Sequence, residues 1–299
     1  MMNHRPRRFR IDTMTIPALA AGAVLLSPLF TVEVTDKGLL ARKDGVVTAE
    51  YRRIGVPFKP YLLRLCTPAG TDVIRDAPDD HRHHHGLMFA LNAAGINFWE
   101  ETPSCGVQRS DGVTPLRDGW EEALTWAPSP TGAPTLQERR RITFVSDIEG
   151  VTMLTWKTTL EAPKKASAPI RLSGDHFYGL GMRFVSDMDG GTFESASGEP
   201  GTVFRGEERL MGGAWCAYRA SSQGKLVTVA MFDDRGNPRK ATWFTMPRPF
   251  AYLAATLRLH EKPLELRPGD RITLRYGVAA WDGNIEARAI GDAYRQWSR

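Results

Sequence analysis

Cysteine is scarce in this 299-residue chain: Cys66, Cys105 and Cys216 are its three, and no two stand at C-x-x-C spacing. The odd number and the spacing argue against a zinc ribbon and against a disulfide framework. Buried thiols that pack as small hydrophobes are the expectation. Also lacking is an apolar stretch of the roughly 20 residues that a spanning helix needs. The longest, Ile16 to Phe30, is interrupted by Pro17 and Pro28. Basic residues between His4 and Arg10 precede it, as in the n-region and h-region of a leader, but Asp12 intervenes and no A-x-A site follows. Residues 1–30 are a candidate leader segment, so a periplasmic or secreted location and a cytoplasmic one both stay open.

Charge of one sign is not concentrated either. The formal net charge is +5, and basic residues crowd only between Arg5 and Arg10 and at Arg139, Arg140 and Arg141. No basic stripe with interleaved aromatics is present, which excludes the usual nucleic-acid partner. Glycine loops of the dinucleotide or P-loop kind are missing, as are a nucleophile elbow, a solenoid repeat and a low-complexity tract. No break in composition divides residues 31–299, which read as one domain. With 42% hydrophobic and 24% charged residues, that length can bury a real core.

What is there is mostly short strand. Thr31 to Val34 alternates, Val46 to Tyr51 reads as a strand, and Asp44-Gly45 is a hairpin signal. Tyr61 to Cys66 and Asp72 to Arg75 follow. Residues 102–120 are rich in Gly, Pro, Ser and Asp and read as a loop excursion. Strand patterns recur at Glu122 to Trp126, Leu136 to Val145, Val151 to Leu160, Ile170 to Leu172, Phe177 to Phe184, Val227 to Phe232, Ala251 to Leu257 and Arg271 to Val278. Such spacing predicts an all-β antiparallel sandwich. Only two stretches look helical: Ile285 to Trp297, with Asn284 as its cap, and a turn at Glu207 to Leu210.

One run stands out: Asp79-Asp80-His81-Arg82-His83-His84-His85-Gly86 holds four of the seven histidines. Imidazole exchanges protons or binds metal near neutral pH without further tuning. If residues 80–85 are extended, His81, His83 and His85 share one side, and Arg82 and His84 the other. Two or three imidazoles among His81, His83 and His84, with Asp80 or Glu100, could hold a single divalent ion. The same residues could instead do metal-free acid/base work, or serve binding alone. His83 and His84 are the first candidates for base or ligand, supported by His81 and Asp80. His176 is a further candidate, in a block with a faint echo of aldose epimerases. Trp99 and Glu100 follow the cluster, Arg183 offers a permanent charge, and Asn237 and Arg239 straddle a proline in a predicted loop. These five are the candidate substrate-binding residues.

Several blocks occur together in order. They are Thr67-Pro68 with Gly70, Arg75, Asp80-His81 with His83-His84 and Gly86-Leu87, and Asn97-Phe98-Trp99-Glu100. Further on come Ser197-Gly198-Glu199, Trp215-Cys216 with Tyr218, Phe232-Asp233 and Asn237-Pro238-Arg239. The chain from about Val32 to the terminal helix thereby resembles a bacterial family labelled "methane oxygenase PmoA", a domain without an assigned function. The resemblance implies a galactose-mutarotase-like β-sandwich with a short C-terminal α-helix, and a small-molecule carbohydrate partner. Elimination, hydrolysis or epimerisation of a sugar or oxidised glycoside is the reaction class it favours. Non-catalytic sugar binding and a metal-dependent oxygenase are the alternatives. This sequence departs from the family pattern at Arg82, where proline is common, and at His85, where arginine is. It departs again at His176-Phe177, in place of Glu-Gly, and at Ala217, in place of an acid.

Overall fold

The computed structural model describes Met1 and residues 30–299. Apart from Met1 and Phe30, the candidate leader lies outside the described residues. Strands β1 (Phe30–Val34), β2 (Gly38–Lys43), β3 (Val46–Arg52) and β4 (Tyr61–Leu65) form a meander. After the histidine run come β5 (Leu87–Ala90), β6 (Asn92–Ala93) and β7 (Ile96–Asn97). A second meander comprises β8 (Val107–Leu116), β9 (Gly119–Ala127), β10 (Leu136–Val145) and β11 (Thr152–Glu161). Next are β12 (Ile170–Ser173), β13 (Gly179–Arg183), β14 (Thr192–Ser195), β15 (Thr202–Arg205) and β16 (Glu208–Met211). β17 (Trp215–Ser222), β18 (Lys225–Asp233), β19 (Thr242–Met246) and β20 (Tyr252–Thr256) follow. β21 (Leu264–Leu266), β22 (Arg271–Asp282) and one helix, α1 (Ala287–Trp297), close the chain.

Three antiparallel sheets result, the expected all-β sandwich. The ten-stranded sheet runs β1-β2-β3-β4-β5-β13-β20-β19-β16-β15, and the eight-stranded one β14-β17-β18-β22-β11-β10-β9-β8. A small sheet, β21-β12-β6-β7, sits beside them. Period-two alternation explains the layering. Leu87 and Phe89 of β5, Leu253 and Ala255 of β20, and Leu154 and Trp156 of β11 enter one core between the large sheets. The opposite face of the eight-stranded sheet is apolar too, and Ile290, Ala293, Tyr294 and Trp297 of α1 cover it. The opposite face of the ten-stranded sheet carries Met88, Trp99, Tyr178, Phe244, Phe250 and Tyr252. That outer face is where the histidines sit.

The core also holds charge. On β10, Glu138 and Arg140 point inward between Leu136 and Ile142, and both are buried. Arg140 grips Glu138 through Nε and Nη2, each at 2.9 Å, and donates to Tyr51 Oη at 3.0 Å and the Pro60 carbonyl at 2.9 Å. Its Nη2 also donates to Gln108 Oε1 at 2.8 Å, and Gln108 in turn donates to the Phe89 carbonyl at 2.9 Å. One guanidinium of the eight-stranded sheet is thus bonded to β3 and to the segment before β4, and reaches β5 through Gln108.

Three local expectations are corrected. Residues 107–116, expected as loop, form the long strand β8. It is an edge strand with many half-exposed positions and a bulge between Ser110 and Gly112, where Gly, Ser, Asp and even Pro115 are tolerated. The helix begins at Ala287 rather than Ile285, and Asn284 does not cap it. Thr228 Oγ1 donates to the Gly283 carbonyl and accepts from Ile285 N–H, which holds that segment in place before the helix. Glu207 to Leu210 is the turn and second strand of the β15–β16 hairpin, since Gly206 takes φ +52° and β16 pairs with β19.

Arg140→Ala strands the Glu138 carboxylate in the core and should cost about 3–5 kcal/mol of stability by urea unfolding. Arg140→Met with Glu138→Leu should recover part of that loss, since Trp126 Nε1 and Thr158 Oγ1 then lose their acceptor. Equal instability of the single and double variants would show that the pair is not the unit.

Candidate functional site

The histidine run is not a strand. His81 N–H donates to the Pro78 carbonyl and His84 N–H to the His81 carbonyl, both at 2.9 Å, so two turns follow one another. Ala77 N–H then donates to the His84 carbonyl at 2.9 Å and closes the loop on itself. The loop is pinned to β13, where Arg75 N–H donates to the Arg183 carbonyl and Arg183 N–H to the Gly86 carbonyl. Gly86 is needed here, because a Cβ would lie 2.1 Å from the Leu62 carbonyl oxygen. The expected alternation therefore fails, and a different grouping replaces it. His81, His83 and His84 line one cleft, while His85 turns the other way.

The cleft encloses about 520 Å³. Its histidine wall also carries Glu100. Phe177, Phe244, Met246, Phe250 and Tyr252 make it apolar, and Arg205, Glu207, Glu208 and Arg248 complete the rim. His81 and His84 stack with centroids 4.7 Å apart, and His83 meets His84 edge-on at 4.6 Å. Tyr252 Oη is buried with no hydrogen-bond partner. It occupies the space over Gly181, where a Cβ would fall 2.0 Å from that oxygen.

The imidazoles differ in chemistry. Burial, reinforced by His83, His81 and the Arg183 cation, pushes His84 down to about 2, so it is neutral. Arg183 Nη1 lies 3.4 Å from His84 Nδ1, and as a guanidinium can only donate, which leaves the proton on Nε2. Burial also lowers His83, against the opposing charge of Glu100, whose Oε2 is 3.6 Å from His83 Nδ1. Asp80 is lowered to about 2: burial works against this, but hydrogen bonds from His81 and Arg183 outweigh it.

His85 has the opposite fate. It stacks on Tyr61 at 4.1 Å and bridges Asp76 Oδ1 at 2.6 Å and Glu101 Oε1 at 2.9 Å. Burial opposes its charge, yet the two carboxylates raise its pKa above the ordinary value. Lys59, buried and lowered by that burial, also donates to Glu101 at 2.6 Å.

The remaining expected residues scatter. His176 is buried behind the opposite wall, between Asp175 and Glu208, with Nε2 3.1 Å from Glu208 Oε2. Glu208 is the member that reaches the cleft, and Arg205 donates to its other oxygen at 2.6 Å. Trp99 does not face the cleft: it is fully buried, stacked on Tyr178 at 4.8 Å. Arg183 is also buried, holding Asp80 at 3.0 Å with its guanidinium 3.5 Å from the Phe250 ring. Asn237 and Arg239 lie away from the lining residues. Asn237 bonds Asp233 and the backbone of Arg275, and Arg239 donates to the Leu257 and Lys262 carbonyls, so both stitch loops to strands. Sequence reasoning missed Glu208, Tyr252 and Phe250. The Pro247-Arg248-Pro249 run before Phe250 was the one turn signal pointing there.

Among the described residues no three His, Cys, Asp or Glu side chains gather as a metal-holding group. His81 and His84 are stacked face to face, and the Arg183 cation already occupies His84 Nδ1. The three cysteines are free and buried. No helix among the described residues is long and apolar enough to cross a membrane.

Residues 40–295 match the family of unknown function DUF6807, and no comparison confirms the PmoA label. No curated protein matches. Among solved structures, a polysaccharide lyase is similar at 12% identity and a TM-score of 0.39, covering 84% of this chain and 34% of that one. A GH36 alpha-galactosidase from Geobacillus stearothermophilus gives 10%, 0.44, 89% and 40% on the same measures. The chain thus spans two-fifths or less of the length of these proteins, and likeness at this level says nothing of its activity.

The folded pKa of His85 lies above its unfolded value of about 6.5, so its stabilisation is fully present below that pH. It is lost as pH rises through the folded value. The unfolding free-energy gap between wild type and His85→Gln should therefore shrink above about pH 6.5. A gap that widens there would contradict the charged assignment.

Proposed function

We propose that this chain, which belongs to the family of unknown function DUF6807, is a carbohydrate-active enzyme working as one β-sandwich domain over residues 31–299. It acts by proton transfer on a sugar or oxidised glycoside in the histidine cleft. The observation that carries this reading is a half-buried His83, its pKa lowered by burial, beside Glu100 and next to a neutral His84. An imidazole that is unprotonated at neutral pH and oriented by a carboxylate is equipped as a general base. The aromatic lining suits the apolar faces of sugar rings. The family resemblance to PmoA-like proteins, with its lean toward carbohydrate metabolism, supports the same substrate class.

With a glycoside oxidised to a ketone, His83 removes the proton on the carbon beside the carbonyl. The electron pair moves onto the carbonyl oxygen, which the His84 Nε2–H stabilises by a hydrogen bond. As the carbonyl re-forms, a carbon–carbon double bond forms and the glycosidic C–O bond breaks. The departing oxygen takes its proton from the His83 imidazolium. A pKa of about 2 makes His84 a poor base and a good neutral donor. Asp80 and Arg183 hold the histidine loop in place, and Glu208, fixed by Arg205 and His176, accepts hydrogen bonds from sugar hydroxyls.

His83→Ala should lower turnover of keto-glycosides about 10²–10⁴-fold while the melting temperature stays near wild type. The kcat/KM of the wild type should rise with pH through a value below about 6.5 and then level. Full activity in His83→Ala removes the base assignment. Saturable sugar binding with no conjugated product would make the chain a sugar-binding protein instead.

A further inference from the structure

The turn of the β15–β16 hairpin borders two hollows. The first is the histidine cleft on the outer face of the ten-stranded sheet. The second, about 460 Å³, opens between the β14 edge of the eight-stranded sheet and strands β16 and β19 of the ten-stranded one, and Glu207 at the turn lines both. Side-chain alternation makes the ribbon a partition between them. Phe244 and Met246 of β19 and Glu208 of β16 face the first hollow, while Thr245, Arg209 and Met211 face the second. Across the second hollow stand Thr192 to Ser195 of β14 and the loop that carries Glu199.

The second hollow is lined by Thr245, whose buried Oγ1 has no hydrogen-bond partner. Buried polar groups seldom stay unpaired, so this oxygen marks a place where a ligand hydroxyl can complete a bond. The second hollow also presents the Glu199 and Glu207 carboxylates, neither of which forms an ion pair among the described residues, beside the Phe193 ring. Its Arg209 is turned to the Gly206 and Glu208 carbonyls, and its Glu194 is held by Arg219 at 2.6 Å. Carboxylates and a hydroxyl beside an aromatic ring suit a neutral polyol and repel an anion. Both volumes fall within the roughly 300–1,000 Å³ of small-ligand pockets.

We propose that the ligand is a neutral oligosaccharide that bends around Glu207, with one end in the histidine cleft and further sugar units in the second hollow. This rests on the carbohydrate reading above and adds length and charge to it. The test titrates the full chain calorimetrically with cello- and malto-oligosaccharides of increasing length and with their uronate counterparts. In one series affinity should rise about tenfold or more from disaccharide to tetrasaccharide. Thr192→Trp, which fills the second hollow from an exposed strand, should abolish that rise. Thr245→Val should weaken tetrasaccharide binding without lowering the melting temperature, because the hydroxyl it removes is unpaired in the free protein. Equal affinity at every length, or a rise that Thr192→Trp leaves intact, overturns the two-hollow path. Preference for uronates overturns the neutral charge. Failure of every sugar to bind overturns the carbohydrate reading itself, an outcome distinct from a disaccharide that binds as well as its longer homologues.

Discussion

A charged guanidinium inside the sandwich is the constraint on which the rest depends. Arg140 cannot be left dry and unpaired, so the two sheets must meet where Glu138, Tyr51, Pro60 and Gln108 can all reach it. Apolar faces alone would tolerate sliding, since any methyl fills space for another. A guanidinium with directional partners does not. Through Gln108 the same network fixes the Phe89 carbonyl. Phe89 alternates with Met88, and Met88 belongs to the apolar floor near the cleft. The polar core therefore aligns the strand that carries the histidine loop into the fold.

The loop then sorts neighbouring imidazoles into opposite charge states. His84 and His85 are adjacent, yet one faces a guanidinium and other histidines and the other faces two carboxylates. Neither outcome follows from the residue type. It follows from the turn, which breaks the alternation of an extended chain and sends consecutive side chains to different partners. The charged histidine makes a structural post with Asp76, Glu101 and Lys59, while His83 and His84 line the cleft.

Much of the fold was legible because alternation is strong where one face is buried. β10 was read to the residue and several core strands to within a few, while β2, β17 and β19 went unread. β8 was not, because an edge strand that is half solvated need not alternate. Nor was β16, whose charged start and glycine turn read as a helical turn. The histidine run announced the cleft by composition alone, but its geometry depended on Gly86 and on hydrogen bonds to β13, about a hundred positions away. Trp99 was chosen for its place after the histidines, and Asn237 and Arg239 for their place in an expected loop; position along the chain does not separate a binding side chain from one that fills a core or fastens a loop. Glu208 was missed because its meaning arises from His176, thirty-two positions earlier in the chain, which only the fold brings near.

β13 joins β5 to β20 at the centre of the ten-stranded sheet, and this sets when the cleft can exist. A chain emerging from the ribosome as far as residue 200 already holds the whole histidine loop and Glu100. Of the facing wall it holds Phe177, while Glu208, Phe244, Phe250 and Tyr252 are yet to be made. The loop's partner Arg183 is present by then, but β13 has β5 on one side and an empty edge on the other until β20 arrives. The cleft thus stays incomplete until the chain has been made past residue 250, when β20 pairs with β13 and brings Tyr252 to the wall.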